Sequence, residues 1–152
     1  MPFYPHAPGD DVRIQSNTVA SNVTINNSNI YTDITNLKVE VQANTRYLVQ
    51  IALFASSATD ADIDVQFTYP VGCTMTWAKV ASWDSATAPK AITDSLYISG
   101  VAVGTITPDY LIGVITNGAN VGNLQVQFRQ HTARVSDASI HAGSFITSIE
   151  GE

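Results

Sequence analysis

Charge is scarce in this sequence. Only seven residues are Lys or Arg and thirteen are Asp or Glu, a charged fraction of 13%, where an ordinary domain carries roughly 25%. Ser, Thr, Asn and Ala take up the difference, a surface that suits sheets facing other protein better than a free enzyme. With seven basic residues and a net charge of −6, there is no footprint for nucleic-acid phosphates and none for anionic lipid. Cysteine is nearly absent: Cys73 stands alone, so an internal disulfide and a multi-cysteine metal site are both excluded. Long apolar runs are missing too, and nothing approaches the roughly 18 residues of a membrane span. The first residues have neither a basic segment nor an apolar core, so no signal peptide is expected. Asn22-Val23-Thr24 and Asn26-Asn27-Ser28 match the glycosylation sequon, and without a secretory route they read as strand and turn.

Helical periodicity is the other absence. No stretch long enough for a helix repeats its apolar residues every 3.6 positions, whereas alternation with a period of two recurs throughout. Tyr47, Val49, Ile51 and Leu53 share one face, and Leu48, Ala52 and Phe54 the other, which predicts a central strand covered on both sides. Ile63, Val65, Phe67 and Tyr69 point inward against Asp62, Asp64, Gln66 and Thr68, a half-buried strand stopped by Pro70 and Gly72. Cys73, Met75 and Trp77 alternate with threonines, and Leu124, Val126 and Phe128 with polar residues. Further strands are expected at 12–15, 23–26, 30–34, 37–41, 95–103, 110–116, 122–131 and 144–149. Turn signals fall at Asn26-Asn27, Pro70-Val71-Gly72, Pro108-Asp109 and Asn117-Gly118. Residues 82–94 form the longest loop. About nine or ten short strands with turns every 8–12 residues imply an all-β fold, a jelly-roll-like antiparallel β-sandwich over 12–152.

Residues 1–11 are set apart by composition. Pro2, Pro5, Pro8 and Gly9 forbid helix or central strand there. The segment is either a loose tail or an extended N-terminal arm that lays Phe3 and Tyr4 on a neighbour.

Chemistry is thinly represented. Asp60, Asp62 and Asp64 would share one face of a strand, about 7 Å between neighbours. That spacing reads as a solvated face, with a hard cation as the alternative, because no glycine-turned loop gathers them. His6, His131 and His141 match no zinc spacing. Gly143-Ser144 is followed by Phe145, which breaks the hydrolase elbow. Cys73 has no cationic neighbour in sequence and reads as a small buried hydrophobe. Gly100-Val101-Ala102-Val103-Gly104 lies in a strand pattern and precedes no helix, so it is not a phosphate loop. Trp77 alternates with core positions. Trp83, beside Asp84 in the long loop, packs over one end of the sandwich or anchors an interface or a sugar. No enzymatic activity and no cofactor are expected, since Glu40, Glu150 and Glu152 form no carboxylate pair of the glycosidase kind.

The run Tyr47-x-Val49-x-Ile51-x-Leu53, then Ala61-Asp62-Ile63-x-x-x-Phe67-x-x-Pro70-x-Gly72 and Trp77, resembles a domain found in structural proteins of tailed bacteriophages. The distal stretch fits as well, through Gly122-Asn123-Leu124-Gln125-Val126-Gln127-Phe128-Arg129-Gln130 and Ala142-Gly143-Ser144-Phe145-Ile146. Together these cover about residues 45–150. Such domains are similar to trimeric jelly rolls of the tumour-necrosis-factor type, and occur as capsid decoration (cement) proteins and in head or tail fibres. The resemblance implies a homotrimer on the outer surface of a virion capsid, made in the host cytoplasm. Its partners would be copies of itself and the major capsid protein. It also implies that the arm, through Phe3, Tyr4, Pro5, His6 and Pro8, grips the capsid lattice. The alternative is a receptor- or glycan-binding head of a fibre, using Trp83 and Asp84.

Overall fold

The computed structural model describes residues 12–80 and 88–151. Within them the chain is all-β, twelve strands in two antiparallel sheets packed as a sandwich. The strands are β1 (Ile14–Thr18), β2 (Val23–Asn26), β3 (Thr32–Val41), β4 (Arg46–Ser56), β5 (Ile63–Thr68) and β6 (Thr74–Lys79). They continue with β7 (Lys90–Ala91), β8 (Leu96–Ile98), β9 (Thr107–Thr116), β10 (Gly122–Gln130), β11 (Asp137–Ile140) and β12 (Phe145–Gly151).

The larger sheet runs β1-β12-β4-β9-β6-β7, with β11 bridging β2 and the end of β4; the smaller runs β3-β10-β5-β8. Eight of these strands make a jelly roll. The chain folds as one long hairpin whose arms pair outermost to innermost: β1 with β12, β3 with β10, β4 with β9, and β5 with β8. The doubled ribbon then rolls up, so that β12 also pairs β4 and β10 also pairs β5.

The core is what the alternation dictates. Tyr47, Val49, Ile51 and Leu53 of β4 face Ile63, Val65 and Phe67 of β5 and Leu124, Val126 and Phe128 of β10 across the sandwich, all buried. Trp77 lies within it at 2% exposure. Its indole N–H donates to the Ala91 carbonyl at 2.8 Å, and its ring meets Phe67 edge-on at 5.7 Å. That geometry contributes about 0.5–1.5 kcal/mol beyond area burial. The inward position beside Trp77 is Gly113, where an added Cβ would stand 2.9 Å from the Trp77 Cβ. The absent side chain is therefore the room the indole occupies.

Several expectations are corrected. The separate strands expected at 30–34 and 37–41 are one strand, β3, carrying a wide bulge. Between paired residues, β3 advances from Asp33 to Lys38 while β10 advances only from Gln127 to Gln125. Asn36 takes a left-handed φ of 66°, which asparagine tolerates better than most residues. Both Ile34 and Leu37 thereby reach the core, and the Gln125 amide donates to their freed carbonyls at 3.0 and 3.2 Å. Pro108-Asp109 is not a turn but lies inside β9, because pairing with β4 starts at Thr107↔Ala55 and overrides the local signal. The strand expected at 95–103 stops at Ile98, and the chain turns at 102–105, where the Thr105 N–H donates to the Ala102 carbonyl at 3.0 Å. A Cβ at Gly100 would lie 2.1 Å from the Ala58 carbonyl oxygen, so only glycine fits where the chain passes that backbone. The long loop 82–94 contains β7, which docks on β6 through Thr76↔Ala91 and Trp77↔Lys90. β11 was not expected at all. β4 is central, but its second face is only partly covered, since Leu48 and Phe54 remain half-exposed.

Candidate functional site

The two sheets turn unlike faces outward. On the larger sheet, alternation and register place Ile14, Ile149, Leu48, Val114 and Thr76 in one row across β1, β12, β4, β9 and β6. The next row is Ser16, Thr147, Gln50, Ile112 and Ala78, and the third is Thr18, Phe145, Ala52 and Tyr110. Phe54 pairs Pro108 beyond them. None of these residues is charged. Ile112 and Val114 are 37% and 44% exposed, and Ile14 is 63% exposed. Ile106, half-exposed, continues the outward series of β9 at its start.

The smaller sheet presents polar rows. Gln66 donates to Gln127 at 2.8 Å and Gln127 donates to Asp33 at 2.7 Å, a chain of amides across β5, β10 and β3. One row along, the buried Asp64 carboxylate accepts from Arg129 Nε at 3.1 Å and Nη2 at 3.0 Å, and lies 3.0 Å from His131 Nδ1. The Arg129 guanidinium stands 4.5 Å from the centre of the Tyr31 ring. Burial raises the Tyr31 phenol above its ordinary value, and Arg129 opposes the rise. Tyr97 crosses His131 edge-on at 5.2 Å and donates its hydroxyl to Asp62 at 2.6 Å, a bond that raises the Tyr97 phenol as well.

The three aspartates therefore do not share a solvated strand face. β5 begins only at Ile63, and Asp62 sits in the preceding turn with φ 50°. Asp60 pairs Arg134 at 3.2 Å, Asp62 takes Tyr97 and the Gly100 N–H, and Asp64 is buried under Arg129 and His131. Each carboxylate is aimed at its own partner, and among the described residues no group of three or more potential ligands is gathered for a metal.

Of the remaining histidines, His141 shares a hydrogen bond of 2.7 Å with Ser56 through Nε2. Ser56 is buried at 4% exposure at the end of β4, so this pair ties β11 to β4 and offers substrate no approach to the hydroxyl. Cys73 is buried, and its thiol is pushed up by that burial, the reverse of what a nucleophile needs. Asp109, also buried, is ion-paired with Lys79. Phe3, Tyr4, Pro5, His6, Pro8, Trp83 and Asp84 lie outside the described residues.

Two buried amides whose roles the sequence does not reveal organise the ends of the sandwich. Asn117, just past the end of β9, donates to the carbonyls of Gln42 at 2.8 Å and Asn120 at 2.7 Å, and its own N–H donates to the Thr45 carbonyl. Gln130, at the other end and fully buried, accepts from the N–H groups of Ser28 and Arg134 and donates to the carbonyls of Arg134 and Ser136. Each amide fixes the loops on either side of it.

No protein-family model and no curated protein match this chain. Among solved structures it is similar to a chain in the structure of infectious bursal disease virus, Gx strain, at 11% identity and a TM-score of 0.31. That likeness covers 99% of this chain and 45% of the other, so this chain spans less than half of its length.

Proposed function

We propose that this chain is a structural subunit of a virion, a capsid decoration protein that sits on the outer surface of the major capsid lattice of a tailed bacteriophage as a homotrimer. It is not an enzyme in this reading and needs no cofactor. The observation that carries the reading is the stitched body. Buried Asn117 and Gln130 pin the loops at opposite ends of one jelly roll, and the polar side chains on the smaller sheet are committed to one another. Over the described residues such a body offers fixed surfaces, as a cap spanning neighbouring lattice subunits requires. The sequence pattern over about residues 45–150 supports the same reading, and so do the aromatics of the segment 1–11. A cap that binds only the assembled lattice stabilises it by mass action, and three arms on one trimer add avidity. The test is co-sedimentation with purified capsids lacking decoration, with the full chain and with residues 1–11 removed. Saturable binding by the full chain and its loss on truncation are expected. No binding by the full chain overturns the reading, and full binding by the truncated chain overturns the arm's part in it.

The half-exposed Tyr97 and His131 rings beside Arg129 favour a second reading, a glycan-binding head of a fibre, with Trp83 as a further aromatic. Binding to host cells or surface polysaccharide, lost in Tyr97→Ala or Trp83→Ala, would distinguish it.

A further inference from the structure

We infer that the outer face of the β1-β12-β4-β9-β6 sheet is where copies of this chain pack against one another. The inference rests on the assembly reading above for its motive, but on the face itself for its argument. Large apolar side chains stand outward on adjacent strands: Leu48 and Phe54 on β4, Ile112 and Val114 on β9, Phe145 and Ile149 on β12. Ile149, Leu48 and Val114 are neighbours in one row, and Ile112, Tyr110 and Ala52 link that row to Phe145 and Phe54 around Thr147 and Gln50, an apolar surface of the kind that marks an interaction site.

Two features of this face point to a second copy as the occupant. The first is charge. The chain carries −6 overall, yet the three adjoining outward rows of this sheet contain no charged residue, and Arg46, in the next row, stands at their margin. Asp33, Asp64 and Arg129 stand outward on the other sheet. An uncharged surface fits another uncharged surface, as a second copy can offer, whereas a strongly acidic or basic partner, or an anionic lipid surface, would find only Arg46 at its margin to pair with or be repelled by. The second is extent. The sixteen outward positions in these rows, with Ile106 and Val80 at the rim, approach the roughly twenty residues a side of a stable interface. Ala52, outward yet only 9% exposed between Phe145 and Tyr110, leaves a shallow notch between larger side chains.

The experiment is light scattering behind size exclusion on the full chain, wild type against Ile112→Asp/Val114→Asp, at tens of micromolar. Thr68→Lys, an exposed position on the opposite sheet, is the control. Wild type and control are expected to elute as one defined oligomer and the double variant as a folded monomer. The loss corresponds to on the order of hundredfold weaker association, as for an unpaired charge buried in an interface. Far-ultraviolet circular dichroism establishes folding, and Ile112→Ser, a milder change, replaces the double variant if that one fails to fold. A monomeric wild type, or an oligomer indifferent to both variants, overturns the inference. Capsid co-sedimentation is scored separately: a variant-sensitive oligomer that ignores capsids sinks only the decoration reading, and a capsid-binding protein whose oligomer ignores these variants sinks only this one.

Discussion

Gln15 pairs with the main chain of Glu40 as a neighbouring strand would. Its amide nitrogen donates to the Glu40 carbonyl at 2.8 Å, and its amide oxygen accepts from the Glu40 N–H at 3.1 Å. Two residues on, Asn17 donates to the Lys38 carbonyl at 2.6 Å. β3 is the edge of the smaller sheet, and edges with unpaired backbone groups invite further strands. Side chains of β1 occupy this one and so join the two sheets at the corner.

Gln15→Ala is expected to cost about 1 kcal/mol, the net worth of such exposed bonds, and to raise aggregation more than that loss suggests. Urea unfolding reads the first and static light scattering near the melting temperature reads the second. Unchanged aggregation would show that Asn17 alone protects the edge.

Gln130→Ala should be far more damaging. It strands the amides and carbonyls of two loops that Gln130 now satisfies, at about 1–3 kcal/mol for each group left buried without a partner. The urea midpoint should fall with the slope unchanged, and hydrogen exchange at the Ser28 and Arg134 amides should accelerate. Gln130→Glu, which would bury a carboxyl group against the Arg134 and Ser136 carbonyls, should be at least as damaging at neutral pH.

Gly100→Ala is expected to fail outright or to lose at least about 3 kcal/mol. The new methyl would meet the Ala58 carbonyl at 2.1 Å, backbone against backbone, and would also disturb the Gly100 N–H bond to Asp62. Expression yield and thermal melting check it. Gly104→Ala is the comparison, since its Cβ would meet nothing within 4 Å and only its φ of 81° opposes the change.

Alkaline pH should destabilise the fold. Cys73 is raised from 9.0 by burial, Tyr31 from 10.0 chiefly by burial, and Tyr97 from 10.0 chiefly by its bond to Asp62. Each holds its proton more tightly folded than unfolded. Their contribution is thus complete below those ordinary values and is lost as pH rises through the folded ones. Urea midpoints measured from pH 8 upward should decline from about pH 9, with Tyr97→Phe shallower than wild type. In the same range below unfolding, Cys73 should stay inert to aromatic disulfide reagents and react only when urea opens the chain.

Much of this architecture was legible in the sequence, and the failures have a common cause. Tyr47 to Leu53, Ile63 to Phe67 and Leu124 to Phe128 announce themselves because one face is buried and the other is not, which writes the period of two into the residues. β11 is short and holds a single large apolar residue, Ile140; its burial comes from lying between β2 and β4. Pro108-Asp109 has a turn's composition and a strand's conformation, because β4 supplies a partner up to Ala55. Leu48, Ala52 and Phe54 were visible as a second apolar face, and the sequence does not tell whether the same chain or another covers it. Asn117 is a turn residue and Gln130 ends a strand, places where amides are ordinary, and only the fold turns four loop groups toward Gln130.

The position of β12 has a consequence for how the protein is made. The last described strand is not an edge: it lies between β1 and β4, and Glu150 donates its N–H to Arg13 at 2.9 Å. On a ribosome, β1 and β4 emerge long before the strand that joins them. Until residues 145–151 leave the exit tunnel, the larger sheet has no strand between β1 and β4, so its completion waits for β12. Truncation within those residues would leave a nascent chain that chaperones hold and proteases find.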